Sequence, residues 1–226
     1  HVAMLSGVDA DQHGITWNTD ETRDEGYVRV PTIFSLARAA GFSTAAFFSK
    51  TKFHHLEVPK TLDYAWSPYG TVNAFYPPAR TADRVERYLR RASPNLLFVH
   101  LAEPDFSGHR SGWMSSVYGR GVRAADVAVE RILKRADAQF GRGAYTVIVT
   151  ADHGGEGKTH IGADATNRTI PWIAWGAGVQ RGDTLSDILT MDTGATVLWL
   201  LGVAVPDNWV GRPVMRAFAP AVSTGR

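Results

Sequence analysis

The chain has 226 residues, enough for one substantial core or two small ones. It is 44% hydrophobic and 20% charged, as ordinary globular proteins are, with 24 basic residues against 22 acidic ones. There is no cysteine, no apolar run of the roughly 18 residues that span a membrane, and no basic run. This excludes disulfides, thiolate metal sites and a membrane-spanning helix, and it gives no support to a nucleic-acid-binding surface.

A Gly-containing opening is followed by an irregular polar stretch from Trp17 to Tyr27. Pro31 starts a helix over Thr32–Ala40, with Ile33, Leu36 and Ala40 on one face and Gly41 as its stop. Ser43–Phe48 reads as a short strand. Residues 50–80 are rich in aromatics, Pro and Gly without a clear period, and read as a long loop or small cap. Thr81 is positioned to cap a helix through Arg91, with Ala82, Val85, Tyr88 and Leu89 inward and a solvated arginine face.

Asn95–Leu101 (NLLFVHL) is a short apolar run of the kind expected for a strand buried on both faces. A long helix over Ser116–Phe140 follows, with an apolar line through Tyr118, Val122, Ala125, Val129, Ile132, Ala136 and Phe140. Glu130 and Lys134 form an i,i+4 pair on its outer face. Gly141–Gly143 breaks it, and Ala144–Thr150 (AYTVIVT) is the next buried strand. Pro171–Trp175 is a further strand, Asp192 caps a helix through Leu201 closed by Gly202, and the tail from Ala219 frays. The alternation predicts an α/β fold with a mostly parallel sheet covered by helices on both faces, in one domain spanning 1–226. Ligands of such sheets bind beyond the carboxyl ends of the strands.

Two clusters stand at such ends: Asp105 and His109 in LAEPDFSGHR, and Asp152, His153 and His160 in TADHGGEGKTH. Carboxylates and imidazoles are the ligands that hold zinc or manganese at a hydrolytic centre. Pro104 and Gly108 favour a turn over a regular helix around the first pair. Taken alone, D-x-x-x-H is equally an exposed Asp and a His held by a backbone carbonyl. In the second cluster, Gly154-Gly155 leaves room for close approach; its bland reading is a helix cap with surface histidines. Both clusters following strands makes metal binding the favoured reading.

The order D-x-x-x-H, then D-H-G, then H, ending in a D-T-x-A-T-x-L-W-L-L-G-like helix, resembles the alkaline phosphatase superfamily, and within it the type I phosphodiesterase/nucleotide pyrophosphatase branch. The opening HVAMLSGVDADQHGI is similar to that branch's N-H-x-S-M-L-T-G-x-x-P-x-x-H-G-I. The likeness runs from His1 to about Phe218 and is weakest across 50–80. It implies two divalent metal ions, zinc or manganese: Asp105, His109 and His160 match the ligands of one, Asp152 and His153 two ligands of the other. It implies hydrolysis of a small-molecule phosphate ester through a Thr or Ser nucleophile. In the family that nucleophile lies about four residues before the position of His1, after a first strand that also supplies a ligand. The chain is thus expected to be a fragment lacking that first strand, to hold one metal better than two, to turn over little, and to expose a sheet edge prone to aggregation. A secreted or periplasmic location is a further implication of the resemblance. His13, in the H-G-I turn, is expected to hold its loop rather than bind metal, and Lys158 either contacts a phosphate oxygen or is an exposed loop lysine. A sulfatase shares the fold, but the Arg of its C-x-P-x-R motif is replaced here by His1. A phosphoglycerate mutase or phosphopentomutase would carry D-H-G-N rather than D-H-G-G. A non-catalytic metal-binding remnant is the remaining alternative.

Overall fold

The computed structural model describes residues 1–68, 75–182 and 184–219. The chain opens on two short helices, α1 (Val2–Ser6) and α2 (Ala10–His13), each stopped by a left-handed glycine. The first stop, Gly7, has φ 64°, and a Cβ there would lie 2.0 Å from the Trp209 ring, so the position needs glycine twice over. One turn, α3 (Thr22–Glu25), interrupts the polar stretch.

The helix expected over 32–40 is α4 (Ile33–Ala39). Thr32 and Ser35 form a reciprocal capping box, which fixes the start where the sequence placed it. Its buried face is Ile33, Phe34 and Ala37, whereas Ala40 is exposed just past the end. Phe34 sets that rotation by packing edge-on against Phe48 and Phe98, with ring centroids 6.5 and 6.0 Å away.

Strand β1 (Thr44–Phe47) is wholly buried and pairs in parallel with β2 (Tyr64–Trp66) and β3 (Leu96–Val99), in the order β2-β1-β3. Its alternation sorts two cores. Ala46, with Phe48 beyond the strand, packs toward Ile33, Phe34, Ala195, Leu198 and Trp209, while Ala45 and Phe47 pack toward Val85 and Leu89. Helices therefore cover this sheet on both faces, as expected.

The stretch 50–80 is less irregular than its composition suggests. It contains a 3₁₀ turn, Thr51–Leu56, as well as β2. Three residues are too few to show a period, and Tyr64 is recognised by its partners instead, stacking on Tyr88 at 4.5 Å and leaning on Phe47 at 5.3 Å. Residues 69–74 of that stretch lie outside the described residues.

Helix α5 (Pro78–Leu89) starts earlier than the expected Thr81, because Pro78 occupies the first turn, where a missing N–H and a fixed φ cost nothing. After β3 come α6 (Asp105–Ser111) and α7 (Ser116–Phe140), the latter capped by Ser115 Oγ accepting from Tyr118 N at 3.2 Å. Helix α7 runs along α5. Arg131 reaches across to Asp83 at 2.5 Å and to Glu86 at 2.9 and 3.0 Å, and the expected Glu130–Lys134 pair is present at 2.5 Å. Of the predicted apolar line, Ala136 is buried and Ile132 and Phe140 pack against the core, whereas Val122 is exposed and Gly121 and Ala128, off that line, are buried. Gly121 faces the start of α6, where a Cβ would lie 2.9 Å from Ser107 Oγ.

Strand β4 (Thr146–Thr150), the turn α8 (Ala165–Arg168) and strand β5 (Trp172–Gly176) complete the second sheet. The mostly parallel expectation holds for β1, β2 and β3, whereas β4 and β5 are antiparallel, in a separate two-stranded sheet with Val147 opposite Trp175. The connection between them carries the Gly-rich segment and returns the chain beside β4 rather than through a crossover helix. Nor are β3 and β4 buried on both faces. Most of their residues are half-buried, and each strand pairs on one side only among the described residues.

Helix α9 (Asp192–Leu200) packs against α1 and α4. Asp192 is its first residue rather than its cap; the carboxylate instead accepts from Leu189 N at 2.8 Å and Arg212 N at 2.7 Å, tying two loops together. Ala219 N still donates to Gly178 O, and residues 220–226 of the tail lie outside the described residues. No helix among the described residues is long and apolar enough to cross a membrane.

Candidate metal centre

The site is assembled where β1, β3 and β4 end. Beyond β3, Phe106 N bonds Ala102 O and the chain enters α6 at Asp105. The turn expected around Asp105 and His109 is thus a helix. Gly108 does not break it: glycine is there because a Cβ would sit 2.8 Å from the Trp113 indole. The helix puts residues four apart on one face, and His109 Nε2 lies 3.3 Å from Asp105 Oδ1.

Beyond β4, His153 turns its Nε2 toward the same carboxylate, 3.8 Å from Asp105 Oδ1 and 3.4 Å from Asp152 Oδ2. A reciprocal backbone pair between Glu156 and Thr159 folds the Gly-rich segment back and delivers His160. Its ring stacks on His153 at 3.7 Å and meets His109 edge-on at 4.9 Å. Asp105, His153 and His160 each offer a ligand atom within 4.8 Å of the others. The resemblance groups Asp105 and His160 with His109, and His153 with Asp152; in space His153 stands beside Asp105 and His160 as His109 does. Asp152 lies between His153 and the start of the chain, its Oδ2 also 2.8 Å from His1 Nδ1.

The donor set fits a divalent cation by a test internal to the structure. His109 Nδ1 donates to Lys158 O at 3.0 Å and His153 Nδ1 donates to Gly154 O at 2.7 Å. A carbonyl only accepts, so each Nδ1 carries the proton and each Nε2 presents a lone pair, the arrangement that metal-ligating histidines adopt. Both Nε2 atoms face Asp105 Oδ1, which is buried and receives no hydrogen bond. Three acceptors converging without a donor is a costly arrangement for a buried site and a favourable one around a cation.

The carboxylates remain ionised despite their burial. Burial acts to raise Asp105, but the Lys50 ammonium and its hydrogen bond outweigh it and hold the group below the usual carboxylate range. Asp152 is likewise held low although burial pushes it the other way. Burial lowers His160, with His153 beside it adding to the effect.

Several residues of the site escaped the sequence reading. Lys50 Nζ donates to Asp105 Oδ2 at 2.5 Å. Ser49 Oγ and His100 Nδ1 are 2.7 Å apart in full burial, and the His100 ring lies 4.8 Å from that of His1. Lys50 follows β1 as Asp105 follows β3, so its signal was topological: the same strand-end rule applied one strand earlier. Lys158 gives its carbonyl to His109 while its side chain is exposed. His13 is buried and its Nδ1 accepts from Ile15 N at 3.1 Å, holding its own turn.

Known proteins resemble this chain to different depths. The GPI ethanolamine phosphate transferase 1 of Candida glabrata is 30% identical over 141 residues, covering 54% of this chain and 15% of the transferase. The 2,3-bisphosphoglycerate-independent phosphoglycerate mutase of Onchocerca volvulus is 29% identical over 145 residues, 61% of this chain and 27% of the mutase. The chain therefore spans under a third of the length of either. In fold it is similar to a 2-O GAG sulfatase, with a TM-score of 0.74 over 96% of this chain and 62% of that one, at 17% identity. The family model for type I phosphodiesterase / nucleotide pyrophosphatase matches residues 1–175, a span that runs through both ligand clusters. With more than three quarters of its length so matched, this chain belongs to the type I phosphodiesterase/nucleotide pyrophosphatase family.

Proposed function

We propose that this chain forms the metal-binding part of a phosphoric-ester hydrolase, a phosphodiesterase/nucleotide pyrophosphatase or phosphatase, that works with two divalent cations, zinc or manganese. The observation that carries the reading is the orphaned Asp105 Oδ1 faced by the Nε2 atoms of His109 and His153. Asp105, His153 and His160, with His109 alongside, hold one ion; Asp152 contributes to the second. Bound cations in such a centre stabilise the charge that develops on phosphoryl oxygens and on the attacking and leaving oxygens.

The chain's own residues do the rest. The backbone carbonyls of Lys158 and Gly154 fix the tautomers of His109 and His153, so the ligands are oriented before an ion arrives. Lys158, exposed at the rim, supplies a cation to the outer phosphate oxygens. The attacking Thr or Ser hydroxyl comes from a segment outside these 226 residues, delivered beside His1 and Asp152. Phosphate rather than sulfate is favoured because the names of both curated relatives speak of phosphate-bearing molecules.

Metal analysis and dye hydrolysis test this. The 226-residue chain is expected to bind one zinc tightly and to hydrolyse phosphate esters weakly. A longer protein that includes the preceding residues should hydrolyse phosphate monoester or diester dyes and lose that activity to a chelator. Activity indifferent to chelation would overturn the metal mechanism. Preference for a sulfate ester dye would move the assignment to a sulfatase-type hydrolase. Tight metal binding without turnover in the longer protein would make it a non-catalytic remnant.

A further inference from the structure

Asp105 divides its two oxygens between different partners. Oδ1 faces the imidazoles, buried and without a hydrogen bond, whereas Oδ2 accepts from Lys50 Nζ at 2.5 Å. Lys50 is not a loose surface lysine that happens to reach inward: its side chain is 19% exposed and its backbone is pinned. On one side it forms a bridge with Phe75, and next to it Ser49 O accepts from Tyr76 N at 2.7 Å. Ser49 Oγ is bonded to His100 at the end of β3, the strand that leads to Asp105. Two neighbouring strand ends thus fix both members of the Lys50–Asp105 pair. Lys52, two residues on, is held elsewhere, donating to Asn18 Oδ1 at 2.6 Å.

A carboxylate can offer a cation one oxygen or two, and the choice changes the coordination number and the positions left open for substrate. We propose that Lys50 is a positioning residue of the metal centre: it keeps Oδ2 of Asp105 and so presents that carboxylate to the ion through Oδ1 alone. The ammonium stays on Oδ2 when the ion binds rather than being displaced by it. Ligating carboxylates are commonly oriented by such hydrogen bonds, and losing an outer partner typically changes metal affinity by about 10–100-fold. The inference rests on the metal-centre reading above, and goes beyond it in assigning a role to a residue that no ligand motif contains.

Cobalt(II) in place of zinc reads the coordination directly, since four-coordinate cobalt absorbs visible light much more strongly than five- or six-coordinate cobalt. The wild-type chain should bind cobalt with intense visible bands. Lys50→Met, which frees Oδ2, should give weaker, shifted bands at equal cobalt content, and Lys50→Arg should restore the wild-type spectrum. A Lys50→Met protein with the wild-type spectrum and unchanged cobalt affinity overturns the proposal. Absence of cobalt binding in the wild type overturns the metal-centre reading itself, a failure visible before any variant is made. A second measurement needs no variant: acetylation of Lys50, followed by mass spectrometry, should be slow with and without zinc. Acceleration on adding zinc would mean that the ion displaces the ammonium, and the proposal falls.

Discussion

Asp105→Asn is expected to abolish tight zinc binding while leaving the metal-free fold intact. The variant keeps an oxygen for Lys50 and turns its amide nitrogen toward the lone pairs of His109 and His153, satisfying the acceptors that are now orphaned. A donor then stands where the cation would, and one of the few anionic ligands is lost. A set of protein ligands binds zinc with about 10–16 kcal/mol in structural sites, so one of four is worth roughly a hundred- to a thousandfold in affinity. Thermal melts are a convenient readout. At zinc concentrations about 100 times the dissociation constant, the wild type should gain about 2.7 kcal/mol, a rise of roughly 5–10 °C for a chain of this size. Asp105→Asn should show no rise. A zinc-induced shift equal to wild type in the variant would remove Asp105 from the ligand set.

Acid should destabilise the protein well above the range in which its carboxylates titrate. His55 is 5% exposed, and burial pushes its imidazole down to about 4. The unfolded chain, with an ordinary histidine near 6.5, binds the proton more readily than the folded one. The stability due to keeping this ring neutral is therefore complete above pH 6.5 and is lost as pH falls from 6.5 through about 4. A depression of this size corresponds to about 3 kcal/mol. His100, pushed down to about 3 by burial first and by Lys50 second, extends the loss to lower pH. Urea unfolding between pH 7.5 and 4.5 should show a falling midpoint, and His55→Phe should flatten part of the slope. A midpoint constant from pH 7 to 5 would show that these rings find water or a partner when protonated.

The parts of this architecture that were legible in sequence are those written in local signals. Helix α4 announces itself by Pro31 and Gly41, and α7 by a long line of apolar residues three or four apart that ends at Gly141. Both clusters could be placed because each follows an apolar run. What the sequence did not carry was the pairing of distant elements. The grouping of His153 with Asp105 and His160 depends on how far the Gly-rich segment folds back on β4, which no spacing encodes. The helical start at Asp105 was missed because Gly108 was read as a breaker, whereas Trp113, five residues later, needs the space a side chain would take. Lys50 lacked any motif; it became visible once β1 and β3 were known to run side by side. Strand β2 was hidden for a different reason, since its identity lies in aromatic stacking with α5 rather than in its own three residues.

The one-sided pairing of β3 has a consequence of its own. Leu96 and His100 give their amide hydrogens to Ser43 and Phe47 across the ladder with β1. The two-residue repeat of a strand then turns the amides of Leu97 and Val99 to the opposite edge, where no strand is paired among the described residues. One short strand therefore carries two sets of hydrogens, one locked and one open to deuterium. The slower set keeps time with the unfolding of the sheet, and the faster set records whatever comes to lie against that edge.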